Sequence, residues 1–245
     1  MNRILKRRLS VVAAASSLGI LSPVWGPMLL RELPIFGVEE LRVSGTQFVE
    51  DEAVRGLAAL PPDASVWDNM RSAELGVTQH PLVAEATIRR SGLHRLDIEI
   101  REVKPIVLAA TPRLVPVDAS GRSVPVEPSA HDLDLPVLLG SDMSEDGRIE
   151  PEAARRALAV LSQLSAVDSV FTLQISSLRP TSGEAVEFIL LPGSAVDRVI
   201  VPFRDAVKSF LRVERAVGMA KNRGRVISAD ARFRSAVVIR MGADG

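Results

Sequence analysis

Residues 82–101, Leu82-Val83-Ala84-Glu85-Ala86-Thr87-Ile88-Arg89-Arg90-Ser91-Gly92-Leu93-His94-Arg95-Leu96-Asp97-Ile98-Glu99-Ile100-Arg101, decide the fold of this chain. In the second half, Leu96, Ile98 and Ile100 alternate without a break with Arg95, Asp97, Glu99 and Arg101. That is the period of a strand with one face in a core and the other in water. Leu82, Ala84, Ala86 and Ile88 repeat the period one segment earlier. Residues 89–93 join the two and contain Gly92, which is free to take a positive φ, so an antiparallel hairpin is expected.

Working outward, residues 38–44 read as a third strand that closes at Gly45. Two helices fit between it and the hairpin. Residues 50–60 place Ala53, Val54, Leu57 and Leu60 on one face, and residues 68–79 do the same with Met70, Ala73 and Val77. Pro61 and Pro62 separate them, because proline stops a helix and keeps the preceding residue out of the α region. The resulting order is βααββ.

Three stretches carry a resemblance: Leu41-Arg42-Val43-Ser44-Gly45 opens the unit, His80-Pro81-Leu82-Val83-Ala84-Glu85-Ala86-Thr87-Ile88-Arg89-Arg90 stands in its middle, and Glu102-Val103-Lys104-Pro105 closes it. With the element order, they resemble the POTRA domain of the FtsQ/DivIB family of bacterial cell-division proteins. Leu82 stands where that family commonly has a tryptophan between proline and valine.

The N-terminus bears on compartment. Residues 9–30 form an uncharged run of 22 residues, and about 20 apolar residues suffice to cross a bilayer. Arg3, Lys6, Arg7 and Arg8 precede it, so residues 1–8 are expected as a cytoplasmic tail, 9–31 as a transmembrane helix, and the rest outside. A cleaved signal peptide is the rival reading. Against it, residues 13–15 come too early for a cleavage site, and a cut after Gly26 would leave Pro27 immediately downstream.

The chain has 30 basic and 30 acidic residues; without Arg3, Lys6, Arg7, Arg8 and Arg31 the exported part has 25 against 30, a net charge of −5. A mildly acidic surface argues against nucleic acid as a partner, since that binding needs a basic patch to displace counterions. There is no cysteine, hence no disulfide or thiolate chemistry.

About 210 residues follow the anchor, enough for two small domains. Past the first (34–105), residues 106–245 read as a β-rich domain with covering helices, so the class is α+β. Leu114-Val115-Pro116-Val117-Asp118-Ala119-Ser120-Gly121 and Leu135-Pro136-Val137-Leu138-Leu139-Gly140 are similar to the hairpin and the leucine-proline segment that follow the POTRA domain in FtsQ/DivIB. A strand is expected at 123–126, and a helix from near Pro151 burying Ala154, Leu158, Leu161 and Leu164. Three strands are read from Phe171, Leu173 and Ile175, then Val186, Phe188 and Leu190, then 198–201 ending at Pro202. A last helix at 205–221 turns Val207, Phe210 and Val217 inward and Lys208, Arg212, Arg215 and Lys221 outward, before closing strands at 225–229 and 236–241.

Asp230-Ala231-Arg232-Phe233 is similar to the family's aspartate, leucine, arginine, tyrosine motif. The resemblance implies a surface here for the partner FtsB, with the arginine on a partner carboxylate and the partner backbone extending the sheet. Arg232, Phe233, Ser235, Ala236, Val237 and Val238 are the candidate partner-binding residues. An open strand edge offers unpaired backbone groups, and a planar guanidinium grips a carboxylate with two hydrogen bonds. The bland alternative is a solvated strand arginine beside a core phenylalanine. In the first domain the strand edge of Leu41, Arg42, Val43 and Ser44 is a second candidate, beside its reading as a plain structural strand.

An enzyme reading has little support. His80, His94 and His131 match no local metal-ligand spacing, and there is no G-x-S-x-G, G-x-G-x-x-G or P-loop. Asp97 and Glu99 lie between Arg95 and Arg101 as a solvated charge ladder, and His80 reads as a helix-terminal residue favoured as imidazolium by the helix dipole. No cofactor, metal or small-molecule substrate is expected. The resemblance implies a noncatalytic, single-span scaffold of the division septum, gathering FtsB, FtsL and FtsW/FtsI-type synthases and helping control septal peptidoglycan synthesis. The alternative is a POTRA module for protein translocation or chaperoning at the envelope; those proteins usually continue into a membrane barrel. An exported hydrolase is a third class, which a pocket gathering a nucleophile and a base would reveal.

Overall fold

Because residues 40–44 and 95–102 both alternate polar and apolar side chains, they pair edge to edge with like faces aligned, and that pairing organises the first of two units. The computed structural model describes residues 29–242, and the chain divides after Glu102. The expected cytoplasmic tail and nearly all of the expected membrane helix lie outside the described residues; among these, no helix is long and apolar enough to cross a membrane.

The first unit runs β1 (Glu40–Ser44), α1 (Asp51–Ala58), α2 (Arg71–Val77), β2 (Val83–Arg90), β3 (Arg95–Glu102), the expected βααββ order. Its sheet has the order β1-β3-β2, with β1 parallel and β2 antiparallel to β3. Leu96, Ile98 and Ile100 are buried, as are Val54, Ala58, Ala73 and Val77 of the helices. The opposite face carries Arg95–Glu40 at 3.3 Å, Arg89–Glu99 at 3.5 Å and Arg101–Glu85 at 2.8 Å, the charge ladder expected of a wet face.

Four readings within this unit are corrected. Ala84 is exposed, because a bulge between Val83 and Glu85 inserts one residue and breaks the alternation there, turning Val83 inward instead. In α1, Ala53 is exposed and Ala58 buried; Ala59 takes a left-handed φ of 44° and ends the helix before the prolines. Helix α2 starts three residues late, since Asp68 accepts from the Ser65 N–H at 2.7 Å and Asn69 from the Arg71 N–H at 3.0 Å, spending 68–70 on a turn. Gly92 does not use positive φ.

Glycine is required at two other places. Gly45 has φ +87°, and a Cβ there would stand 2.1 Å from the Ile100 carbonyl oxygen. A Cβ on Gly76 would stand 2.5 Å from the Leu57 carbonyl oxygen, so α2 crosses α1 backbone to backbone. Glu102 is buried, and its carboxylate accepts the N–H groups of Gln47, Phe48 and Val49 at 2.9 Å each, fixing the loop that leads into α1. His80 stands just past the end of α2, its N–H on the Val77 carbonyl at 3.1 Å, and its Nδ1 accepts from the Leu82 N–H at 3.2 Å.

The second unit is built on an eight-stranded sheet of order β13-β12-β11-β10-β9-β6-β4-β5. Its strands are β4 (Pro105–Ala110), β5 (Leu114–Asp118), β6 (Val137–Leu138), β9 (Ile175–Thr181), β10 (Ala185–Leu190), β11 (Val196–Pro202), β12 (Val226–Asp230) and β13 (Val238–Met241). A separate pair joins β7 (Asp142–Met143) to β8 (Ile149–Glu150). Helices α3 (Glu152–Val167) and α5 (Ala206–Ala220) bury one stripe each; in α3 it contains the expected Ala154, Leu158, Leu161 and Leu164. Phe171 lies tilted against Phe210, ring centroids 4.4 Å apart, and meets Phe188 edge-on at 5.9 Å within this core.

The strand expected over Phe171, Leu173 and Ile175 is a correction. Ser169–Leu173 form a short helix, α4, capped by Asp168, whose Oδ1 accepts the Phe171 N–H at 2.9 Å; the strand starts only at Ile175, and Leu173 is 79% exposed. A short apolar run has no period long enough to separate the two states, and the cap decides. Residues 123–126 are not a strand either; Ser123 makes an isolated bridge to Val117, and the Val124 N–H donates to the Pro116 carbonyl at 2.8 Å.

Candidate partner-binding edge

The two borders of the large sheet are unlike. At β5 the chain covers its own edge, because the Val124 N–H reaches Pro116 and the Asp118 N–H reaches the Arg122 carbonyl at 2.9 Å. At the other border β13 pairs antiparallel with β12 through Asp230↔Val238, Ala229↔Ile239 and Ser228↔Arg240, and among the described residues no strand pairs with its outer side.

Which backbone groups face outward follows from the ladder. The Gly242 N–H donates to the Arg225 carbonyl at 2.8 Å. In an antiparallel pair, bonded and non-bonded positions alternate, so Arg240 and Val238 turn their N–H and C=O toward β12. Ile239 and Met241 turn theirs away. The side chains divide the other way: Ile239 and Met241 pack on the core, whereas Val238 is 51% exposed.

The loop ahead of β13 holds the remaining candidates. Phe233 is 53% exposed, Ser235 and Ala236 are exposed, and Val237 is half-buried against the core. Arg232 is engaged within its own chain: Nε donates to both Asp230 carboxylate oxygens at 3.0 Å and Nη2 to Oδ2 at 2.6 Å. Burial pushes the Asp230 carboxyl up, but the hydrogen bonds and charge of Arg232 outweigh it and hold the group below its usual range. The same hydrogen bonds, then the Asp230 charge, raise Arg232, with a smaller push from Glu187. Glu187 is buried on that sheet face between Arg179 and Arg198, the latter at 3.1 Å.

Arg212 of α5, expected to point outward, is half-buried and holds this loop. Its Nη1 donates to the carbonyls of Phe233 at 3.0 Å and Arg234 at 2.7 Å, while Nη2 reaches Ser209 Oγ at 3.0 Å. The loop carbonyls cannot be paired by strand bonds while the chain turns, so a five-donor side chain serves them. No local pattern in the sequence marks this role; the buried Ser209 three residues earlier is the one nearby hint.

The first unit's candidate edge is β1, an outer strand of its sheet, where Leu41 and Val43 are half-buried and Arg42 and Ser44 exposed. The Leu41 carbonyl accepts Arg55 Nε at 3.3 Å, and Ser44 Oγ donates inward, to the Ile98 carbonyl of the paired strand β3, at 3.4 Å.

Chemistry other than backbone pairing is thinly represented. A cavity of about 610 Å³ in the second unit is lined by Ser162, Ser165, Ser176 and Asp134 among apolar residues, without a histidine or lysine beside the hydroxyls. No group of three His, Asp or Glu that could hold a metal ion occurs among the described residues.

Residues 36–102 match the FtsQ-type POTRA domain. The chain is also similar to the cell division protein FtsQ of Myxococcus fulvus, 27% identical over 238 residues that cover 93% of this chain and 82% of that protein. An FtsQ-type POTRA unit in front and similarity continuing through the β-rich unit support the FtsQ/DivIB family for this chain.

Proposed function

We propose that this protein is a noncatalytic, single-span membrane scaffold of the bacterial division machinery, anchored by residues 9–31 with its bulk outside the cytoplasmic membrane. It gathers FtsB- and FtsL-type partners at the septum and thereby helps control septal peptidoglycan synthesis by FtsW/FtsI-type enzymes. The similarity to a cell division protein FtsQ supports the division role.

One observation carries the partner site: among the described residues, β13 is an uncovered border of an eight-stranded sheet whose other border is covered by its own chain. A partner strand adds there by pairing with the outward backbone groups of Ile239 and Met241, while Phe233 and Val238 give apolar contact and Arg232 a charge. Ser235 and Ala236 line the approach.

The test is capture of the FtsB-type protein of the same organism by the purified chain. Ile239→Pro removes an outward N–H and is expected to abolish capture, provided its melting shows a folded second unit. Capture by a folded Ile239→Pro variant would overturn the proposed edge. A functional fluorescent fusion to the N-terminus is expected as a mid-cell band before constriction; a uniform envelope signal would overturn the division role.

A further inference from the structure

One end of the POTRA unit is apolar without being buried. Leu29 and Ile35 are each 59% exposed, Leu33 46%, and Leu93, in the turn of the β2–β3 hairpin, 60%. The two segments lie at the same end of the domain. Phe36 meets Trp67 edge-on at 6.0 Å, and the Arg90 guanidinium stands 3.5 Å over the Trp67 ring, immediately before the turn that holds Leu93. On the strand side the His94 carbonyl accepts the N–H groups of Glu39 and Glu40 at 2.8 and 3.1 Å.

We propose that this end, with Leu33, Ile35 and Leu93 inserted, rests in the headgroup region of the bilayer on the side to which the domain is exported. The proposal deepens the anchor reading of residues 9–31 and rests on it. Where the chain comes from selects lipid as the occupant: the uncharged run ends at Leu30. Two successive turns follow, closed by the Leu33 N–H on Leu30 at 3.1 Å and the Phe36 N–H on Leu33 at 3.0 Å. Each turn spans under about 7 Å, so Phe36 stands within roughly 14 Å of the end of the run, and each interfacial layer is itself about 5–8 Å deep.

The charges at this end fix the kind of lipid contact. Arg31 pairs with Glu32 at 3.3 Å and Arg95 with Glu40 at 3.3 Å. With these groups offset, apolar insertion carries the contact, aided by an indole and a guanidinium of the sort that suits the interface. The contact is therefore expected to persist in zwitterionic lipid and at high salt.

Because the chain has no cysteine, Ile35→Cys and Leu93→Cys can each carry an environment-sensitive fluorophore in the full-length protein, reconstituted in phosphatidylethanolamine/phosphatidylcholine nanodiscs. Gln79→Cys, exposed ahead of the start of β2 at the other end of the sheet, is the reference. Nitroxide lipids labelled near the headgroup are expected to quench positions 35 and 93 at least twofold more than position 79, unchanged by added salt. An embedded chain whose labels at 35 and 93 are quenched no more than that at 79 overturns this proposal alone. Release of the chain from membranes by alkaline carbonate overturns the anchor reading and this proposal with it.

Discussion

Arg212 donates to the main-chain carbonyl of Arg234 at 2.7 Å, tying helix α5 to the loop that enters the open strand. Arg212→Met keeps the apolar stem but leaves the loop carbonyls without their donor. A loss of about 1–2 kcal/mol in urea unfolding is expected for hydrogen bonds from a charged group at a half-buried site, with faster amide exchange over 231–238. Arg212→Lys is expected to restore little, because one ammonium cannot reproduce the planar fork. Equal exchange in wild type and Arg212→Met would refute the positioning role.

Asp230 and Arg232 make a pH prediction. The Asp230 carboxyl is held below its usual range in the folded chain, so the pair's contribution is complete above the unfolded carboxylate pKa and is lost as pH falls through the lowered folded value. Asp230→Asn should lessen the acid-side loss of stability. In Arg232→Ala the side-chain hydrogen bonds and the charge are lost while burial and the main-chain N–H of residue 232 remain, so the Asp230 carboxyl should titrate higher than in wild type. Carboxyl carbon NMR titration reads both; an unchanged Asp230 titration in Arg232→Ala would contradict the assignment.

Glu214 of α5 runs in the opposite sense. Burial, then the charge and hydrogen bonding of Asp168, raise its carboxyl above the usual value. Its contribution is therefore complete below the unfolded pKa and lost as pH rises through the folded one. Glu214→Gln is expected to melt higher than wild type at pH 7, with the gap closing near pH 4. A gap of the same size at both pH values would count against ionisation as the cause.

Gly45→Ala is expected to prevent folding of the POTRA unit. The positive φ alone costs about 1 kcal/mol, and the Ile100 carbonyl oxygen, 2.1 Å from the new Cβ, cannot move without opening β3. Limited proteolysis should cut residues 34–102 while the β-rich unit survives. A protease-resistant first unit in this variant would show that β1 closes some other way.

What could be read from the sequence was short-range and periodic. Leu96, Ile98 and Ile100 announce β3, and Ala154, Leu158, Leu161 and Leu164 announce α3, because each pattern runs long enough to define its period. Phe171 and Leu173 fail that condition, and a capping aspartate made them helical. Ala84 failed through one inserted residue, whose cause lies in pairing with a strand eleven or more residues away. Candidate-site residues were legible only by resemblance. The Asp230–Arg232 pair is local enough to anticipate, two residues apart, yet Arg212 reaches its carbonyls across some twenty residues of chain, and no sequence period encodes such a contact.

Glu102 ends β3, and its carboxylate is bonded to the amides of residues 47–49, so the last residue of the first unit is fastened to that unit's own opening loop. Its hydrogen bonds are complete before Val103 begins the next segment. A unit whose last residue is fastened to its own opening loop holds that closing contact entirely within its own residues, whatever sequence follows it.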